Sequence, residues 1–239
     1  MFMQLAHRLR RFALALTVLT ATGCNTLDPK AVQTQTHGKT IAVASELGSN
    51  LNLQWVGTTI FNNEKGEIAV PAWKIDEQAT KAMSTALLAS QRYVTVTALT
   101  GISQLGDAVP KLPKGTKADF LLLIGHFNGG DPIYGSNQTF QGLGIAQRSF
   151  MGLEPPTQAH VGVTIQLFDL TANKSVGSSS EFEHWPITAK LKSGGDSNWG
   201  SNSNPVPSMD ERELAALQQP FTTHLIQVIE QLISKMGMR

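Results

Sequence analysis

The chain has 239 residues, of which 41% are hydrophobic and 15% are charged, and its formal net charge is +1. This length suits one domain with long loops or one domain with an extension, and the balanced charge excludes an overall basic excess for binding nucleic acid or anionic lipid. The single cysteine excludes a disulfide within the chain, so the folded part must be held by its core.

The first 23 residues have the three parts of a signal peptide. Three arginines lie among the first eleven residues, an apolar run follows at 12–19, and small residues come next. The apolar run is shorter than the roughly 20 residues of a transmembrane helix. The ending Ala21-Thr-Gly23-Cys24 resembles the lipobox of bacterial lipoproteins, with Ala21 where that family usually has Leu. The resemblance implies cleavage between Gly23 and Cys24 and a lipid on the Cys24 thiol.

The alternative is an ordinary secretory signal that happens to contain a cysteine. Cys24 is the only cysteine, and lipidation explains a lone thiol in an exported protein. The resemblance implies a diacylglycerol and an N-acyl group, which anchor more firmly than the single acyl chain that binds a membrane marginally. The residue after the cysteine is Asn25. An aspartate at this position would oppose transfer to the outer membrane. The sequence therefore predicts a lipid-anchored protein on the periplasmic face, with the outer membrane favoured.

Cleavage would remove three arginines and leave sixteen Lys and Arg against eighteen Asp and Glu. No basic excess then remains, and nucleic acid is not a predicted partner. Residues 24–38 are polar and have no apolar period, so we expect the lipidated cysteine to be followed by a flexible tether.

Residues 39–236 are predicted to form one α/β (α+β) domain, in which amphipathic helices flank a mixed sheet of four to six strands. In its first half, short apolar runs predict strands at 39–44 and 93–99. Residues 51–61 alternate and then lose the period, which favours a bulge or an edge strand. Apolar residues at helical spacing, with two acidic residues in the first turn, predict a helix over 75–90.

In the second half, residues 118–127 form the most apolar run of the mature chain, which predicts a strand at the sheet centre with both faces buried. Residues 128–156 are rich in Gly, Pro, Asn and Ser and are predicted to be a long loop. Strict alternation over 161–169 and a following small-residue strand at 175–182 predict a hairpin.

The C-terminal part is predicted to be a loop followed by helices. Ser, Gly and Asn dominate residues 190–209, a composition typical of an exposed loop. Ser208 and Glu211 have the spacing of a capping box, which predicts a helix start at Ser208. Pro220 is expected to break or kink that helix, and a last amphipathic helix, packed on the sheet, is expected to run to Met236.

These elements resemble an α/β domain of bacterial envelope lipoproteins. The resemblance lies in the strand Ala118-Asp-Phe-Leu-Leu-Leu-Ile-Gly125, the turn Asp169-Leu-Thr-Ala-Asn-Lys174 and the last helix, and it spans roughly residues 39–236. The domain occurs in the curli-secretion channel lipoprotein, the N-terminal part of the Tol-system propeller protein and the lipoprotein activators of penicillin-binding proteins. It implies a non-enzymatic module that docks an envelope protein or assembles into a homo-oligomeric ring. The arm from Trp55 to Trp73 and residues 128–156 both lack the paired alternating runs of a membrane hairpin, so a pore is not predicted.

No complete catalytic or metal-binding motif occurs in the chain. It lacks a His-Glu-x-x-His pair, a Gly-x-Ser-x-Gly elbow and a Gly-Lys-Ser/Thr loop, so no catalytic residue, cofactor or metal is predicted. His126 ends the buried strand, where a half-buried structural histidine is favoured. The alternative is a small-ligand or hydrolase-like pocket around His126, Asp131 and Tyr134.

Aromatic residues in polar segments indicate a surface for a protein partner. Trp199 lies in the Ser/Gly/Asn segment, and Phe140 and Phe150 lie in the predicted loop at 128–156. Tryptophan is enriched at binding hot spots because it buries a large rigid surface. We therefore predict a membrane-anchored, non-enzymatic lipoprotein that binds an envelope protein, with candidate contacts at Trp199, Phe140 and Phe150.

Overall fold

The computed structural model describes residues 27–58, 63–100, 109–149, 151, 153, 155–194 and 207–239. The predicted signal peptide with its cleavage site at Gly23 and Cys24, and the candidate contacts Phe150 and Trp199, lie outside these residues. The described chain combines helices with a large mixed sheet, which confirms the predicted α+β class.

The strands within the described residues are the following: β1 (Thr40–Ser45), β2 (Asn50–Val56), β3 (Glu64–Ala69), β4 (Thr95–Ala98), β5 (Phe120–His126), β6 (Asn128–Gly130), β7 (Thr139–Gln141), β8 (Leu143–Arg148), β9 (Thr157–Asp169) and β10 (Lys174–Ile187). The α-helices are α1 (Pro29–Thr36), α2 (Ile75–Ala89), α3 (Glu211–Ala216) and α4 (Gln218–Lys235). A short 3-10 turn, Pro71–Trp73, precedes α2.

The large sheet has eight strands, with the order β3-β2-β8-β9-β5-β1-β4 and with β10 paired to β9. It has more strands than the predicted four to six because columns of the sheet are divided into two strands that lie end to end. One edge of β9 pairs with β5 along Val163–Asp169 and with β8 along 158–161, so β5 and β8 lie end to end. β1 pairs with β5 and β2 pairs with β8, both in parallel, so β1 and β2 also lie end to end.

The prediction that residues 128–156 form a loop is wrong. The chain leaves the sheet after His126, makes the small β6–β7 hairpin and returns as β8, whose residues Leu143–Gln147 are buried. The glycines in this segment have a packing role that composition does not reveal. A Cβ atom at Gly144 would lie 2.4 Å from the Asn52 carbonyl oxygen and 2.7 Å from the His160 ring. Only glycine therefore lets β8 approach β2 beneath His160.

We expect Gly144→Ala to lower the free energy of unfolding by about 1–3 kcal/mol, because the added methyl group overpacks a buried strand. Urea unfolding followed by circular dichroism measures the change. Gly130→Ala is the matched control, since a Cβ atom at that position meets nothing within 4 Å. Equal midpoints for the two variants would contradict this account of β8.

Helices α2 and α4 pack side by side on one face of the sheet. Their predicted apolar faces are confirmed, and α2 begins at Ile75 as expected. The opposite face is covered in two places, by the segment 109–118 and by the β6–β7 hairpin. The buried residues of α4 are Phe221, Leu225, Val228, Ile229, Leu232 and Ile233.

The start and the break of the C-terminal helices differ from the prediction. Asp210, not Ser208, caps α3, because its carboxylate accepts hydrogen bonds from the backbone N–H groups of Arg212 and Glu213. The helix breaks at Leu217, three residues before Pro220, since a proline ring clashes with the carbonyl four residues earlier.

The predicted tether and the predicted exposed loop both contribute buried residues. The predicted tether contains α1, where the Asp28 carboxylate accepts from the Lys30 N–H and Val32 is buried. An aspartate followed by proline is a helix-start signal that outweighs the weak apolar period. In the predicted loop at 190–209, Leu191 and Met209 are buried.

Candidate functional site

A cleft of about 420 Å³ opens where the two divided columns of the sheet are interrupted. It lies at the carboxyl ends of β1 and β5, beside the start of α2. Polar side chains and exposed backbone dominate its lining, which consists of Leu47, Gly48, Ser49, Asn50, Asn52, Glu67, His126 and Gln141.

The cleft has a rigid wall because Asp76 fixes the loop between β1 and β2. The Asp76 carboxylate accepts hydrogen bonds from the Ser45 hydroxyl at 2.6 Å, the Leu47 N–H at 2.8 Å and the Gly48 N–H at 3.1 Å. The sequence places this acid in the first turn of α2, where the helix dipole favours it. Asp76 also attaches the loop between β1 and β2 to the helix. This second role depends on contacts between residues that are distant in the sequence.

His126 is the titratable group that distinguishes the cleft. Its Nδ1 atom is buried and has no hydrogen-bond partner within the described residues. Burial lowers the pKa of His126, and the charges of Asp76 and Glu67 oppose this effect. The ring packs against Gly142, whose φ of +55° requires glycine and whose Cβ atom would lie 2.0 Å from Nδ1. His126 therefore presents a neutral imidazole to the cleft at neutral pH.

Asp131 and Tyr134, which the sequence analysis grouped with His126, do not line this cleft. The Asp131 carboxylate accepts from the N–H groups of Ile133, Tyr134 and Ser136 and so holds its own loop together. The Tyr134 hydroxyl donates to the Ala146 carbonyl, and burial raises the pKa of this phenol. Tyr134 packs with a separate apolar cluster, so the pocket predicted from these three residues is not formed by all of them.

Phe140 belongs to the same separate cluster, and its predicted exposure to a partner is wrong. Its side chain is 0% exposed and contacts the His160 ring edge-on, with the centroids 5.3 Å apart. The His160 ring in turn stacks on Phe182 at 5.2 Å. Phe140 lies in β7, and its side chain is buried beneath the β6–β7 hairpin. This aromatic residue therefore packs in the core and is not exposed to a partner.

His160 is fully buried in this aromatic cluster. Burial lowers the pKa of His160 to about 3, and the Gln141 backbone opposes this only in part. Neither ring nitrogen makes a hydrogen bond of good geometry with the described residues. A neutral, enclosed imidazole of this kind contributes to packing and is not accessible to a substrate.

The segment after β8 exposes two large apolar side chains. Met151 is 78% exposed and Leu153 is 70% exposed. Thr58 holds the segment, because its hydroxyl donates to the Ser149 carbonyl and accepts from the Met151 N–H, each at 3.2 Å. Met151 has a φ of +50°, a conformation that costs a non-glycine residue of order 1 kcal/mol. We call the described residues Ser149, Met151 and Leu153 the apolar loop.

The apolar loop and the start of the described chain lie at opposite ends of the sheet. Leu27 lies close to Gly177 near the start of β10, and the facing end of β9 pairs with Phe120 and Lys174. We call this the proximal end. The apolar loop follows β8 at the other end, which we call the distal end. β9 spans the two ends with 13 residues, or about 40 Å.

Two further observations concern the described residues alone. No three His, Asp, Glu or Cys side chains within them converge as metal ligands would. No helix within them is long and apolar enough to cross a membrane.

No family model and no curated protein matches this sequence. Among solved structures, a protein of the DUF330 family from Xanthomonas campestris has 13% identity and a TM-score of 0.42, covering 83% of each chain. PelC from Paraburkholderia phytofirmans, a dodecamer, has 12% identity and a TM-score of 0.36 over 85% of this chain and 92% of PelC. A hypothetical protein from Chlamydia trachomatis has 9% identity and a TM-score of 0.35, over 84% and 96%. None of the three is described as one of the lipoproteins that the sequence resembles, so that resemblance stays a prediction.

Proposed function

We propose that this chain is a lipid-anchored, non-enzymatic protein of the bacterial envelope that binds another protein through the apolar loop at its distal end. The observation that carries the proposal is the exposure of Met151 and Leu153, together with the hydrogen bond that the Met151 N–H donates to the Thr58 hydroxyl. Large apolar side chains presented together on a surface mark sites of protein association.

The position of the proposed anchor supports this arrangement. Cys24 stands three residues before Leu27, so even a fully extended chain separates their Cα atoms by no more than about 11 Å. A lipid on Cys24 would therefore hold the proximal end near the membrane. The apolar loop would then stand about 40 Å further out, where a periplasmic partner can reach it.

The neighbouring sequence adds to the same surface. Phe150 lies between Ser149 and Met151 in the sequence, and we propose it as a further contact next to the methionine. Aromatic residues and methionine are enriched in the buried centres of protein interfaces. Phe150 and Trp199 are therefore proposed contacts, whereas Phe140 is not, because its side chain is buried.

We expect the double substitution Met151→Asp and Leu153→Asp to weaken partner binding at least tenfold without changing the melting temperature. Two charges would have to be desolvated in the interface, whereas both side chains are already exposed in the free domain. Crosslinking in living cells from a photoreactive amino acid at position 151 identifies the partner, and the binding of that partner to the natural chain and to the double variant is then compared. Leu88, which is 58% exposed on α2, is the control position.

The crosslinked product also identifies the type of partner. A product with twice the mass of the chain would make the partner a second copy and the protein a homo-oligomer. A single envelope protein that is recovered at position 151 and not at position 88, and whose crosslink is lost when Leu153→Asp is added, supports the proposal. Equal products from both positions would reject the apolar loop as the binding site.

The cleft at His126 favours a second candidate function, the binding of a small polar ligand. The supporting observation is the buried Nδ1 atom without a hydrogen-bond partner in the described structure. Such an atom costs free energy unless a water molecule or a ligand satisfies it. Native mass spectrometry of the protein purified from its host tests this, and the absence of any added mass that is lost on denaturation would reject it.

A further inference from the structure

Charge is unevenly distributed over the described chain, although its total is nearly balanced. The proximal end carries several lysines, all with exposed side chains, and they come from four separate segments. These lysines are Lys30, Lys39, Lys111, Lys114, Lys117 and Lys174. In the rest of the described chain, acidic residues outnumber basic ones.

Strand pairing brings these segments together. Ile41 of β1 pairs with Phe120 of β5, and Phe120 pairs with Asp169 of β9, which pairs with Lys174. Lys39 and the lysines at 111–117 directly precede β1 and β5, so they lie at the same edge of the sheet. Lys30 is three residues from Leu27, on the first turn of α1.

Within the described residues, none of the six lysines forms a salt bridge, since none lies within 4 Å of a carboxylate there. The three aspartates at this end, Asp28, Asp119 and Asp169, accept hydrogen bonds from backbone N–H groups of Lys30, Thr40 and Ala172. Two further basic residues nearby, Lys235 and Arg239, are paired with Glu181 and Glu230. Among the described residues, the six lysines therefore outnumber the three aspartates of the proximal end by three.

We propose that the proximal end lies against the anionic headgroups of the membrane that holds the lipid on Cys24. This inference rests on the proposed anchor only for the choice of membrane. The anchor would hold the proximal end near the headgroups, where charges interact over a Debye length of about 8 Å at physiological salt. Each basic residue near an anionic surface strengthens binding roughly fivefold. The lysines would thus orient the domain with its apolar loop facing away from the membrane.

The test uses the protein purified from its host and placed on vesicles of phosphatidylcholine with 30% phosphatidylglycerol, or of phosphatidylcholine alone. Acetylation of each lysine is followed by mass spectrometry. On the anionic vesicles we expect Lys111, Lys114 and Lys117 to react at least threefold more slowly than on the neutral ones. Lys190 and Lys192, near the distal end, should react equally on both. Equal rates at 111–117 would overturn the inference.

A charge-reversal variant tests the same surface. The triple variant replaces Lys111, Lys114 and Lys117 by glutamate. We expect it to abolish the slower acetylation of Lys174 on anionic vesicles. The matched control variant reverses the charges of Lys65, Lys190 and Lys192. Both sets are exposed, so unchanged melting temperatures are expected and are measured. Protection at Lys174 that survives the first set, or disappears only with the second, contradicts the proposal.

The same experiment separates failure of the anchor from failure of the orientation. The intact mass shows whether Cys24 carries acyl groups. If it carries none, flotation of the protein with the same vesicles replaces acetylation as the measurement. We then expect flotation on anionic vesicles, reduced at least tenfold by the 111–117 reversal and abolished at 0.5 M NaCl. No flotation would overturn the inference, whatever the state of Cys24.

Discussion

Cys24→Ser is expected to abolish fatty-acid incorporation completely. The thiol is the atom that the lipobox resemblance assigns to lipid, and the chain has no second cysteine that could replace it. A serine hydroxyl is nearly the same size but is a far weaker nucleophile than a thiolate at neutral pH, so the shape of the signal is kept while its chemistry is lost. Growth with a radioactive fatty acid, followed by purification of the protein, measures the effect.

Asn25→Ser is the control for this experiment, because it changes the neighbouring residue and keeps the thiol. It should incorporate the label as the natural chain does. Label that persists in Cys24→Ser would reject the lipoprotein assignment. Loss of label in both variants would instead show that the signal no longer directs export, and the intact mass of the uncleaved chain would reveal this.

The sequence predicts well those elements whose buried residues follow a local hydrophobic pattern. β5 is the most apolar run of the mature chain, and it lies between β1 and β9 with residues Phe120–Gly125 buried. α2 and α4 have apolar stripes of helical period. In both cases the residues that determine the element are its own, so no knowledge of distant neighbours is needed.

β8 and α1 were missed because distant contacts decide them. β8 contains Gly144, which composition counts toward a loop, but the Asn52 backbone and the His160 ring leave room only for glycine. α1 buries Val32 and Thr36, too few positions for a recognisable period. Its capping aspartate and first-turn proline were the available signals.

The exposure of the candidate contacts also cannot be predicted from local composition. Phe140 and Met151 belong to one Gly-rich stretch, yet Phe140 is buried by the hairpin and Met151 is 78% exposed. The difference follows from the three-residue strand β7, in which only the central side chain turns inward. Nothing in the local composition distinguishes an aromatic residue that closes the core from an apolar residue that is presented to a partner.

His160 makes the stability of the domain depend on pH. In the folded protein the pKa of His160 is about 3, against an ordinary value of 6.5, because burial disfavours the imidazolium. As the pH falls below 6.5, the unfolded chain takes up a proton that the folded chain does not bind. The free energy of unfolding therefore falls on acidification, by about 2.5 kcal/mol from this residue between pH 7 and pH 4.5. His126, whose pKa burial also lowers, adds a loss of the same sign.

Replacement of His160 by leucine or by phenylalanine is expected to remove this part of the pH dependence, since neither side chain binds a proton. Urea unfolding at pH 7, 6, 5 and 4.5 measures it. The range ends above the region where Asp119 would lose its contribution, because the Thr40 backbone hydrogen bond lowers the pKa of that carboxyl. His37→Gln, at an exposed position, controls for the loss of a histidine. A natural chain that is as stable at pH 4.5 as at pH 7 would mean that His160 accepts its proton within the fold, and the aromatic cluster around it would then have to open to water.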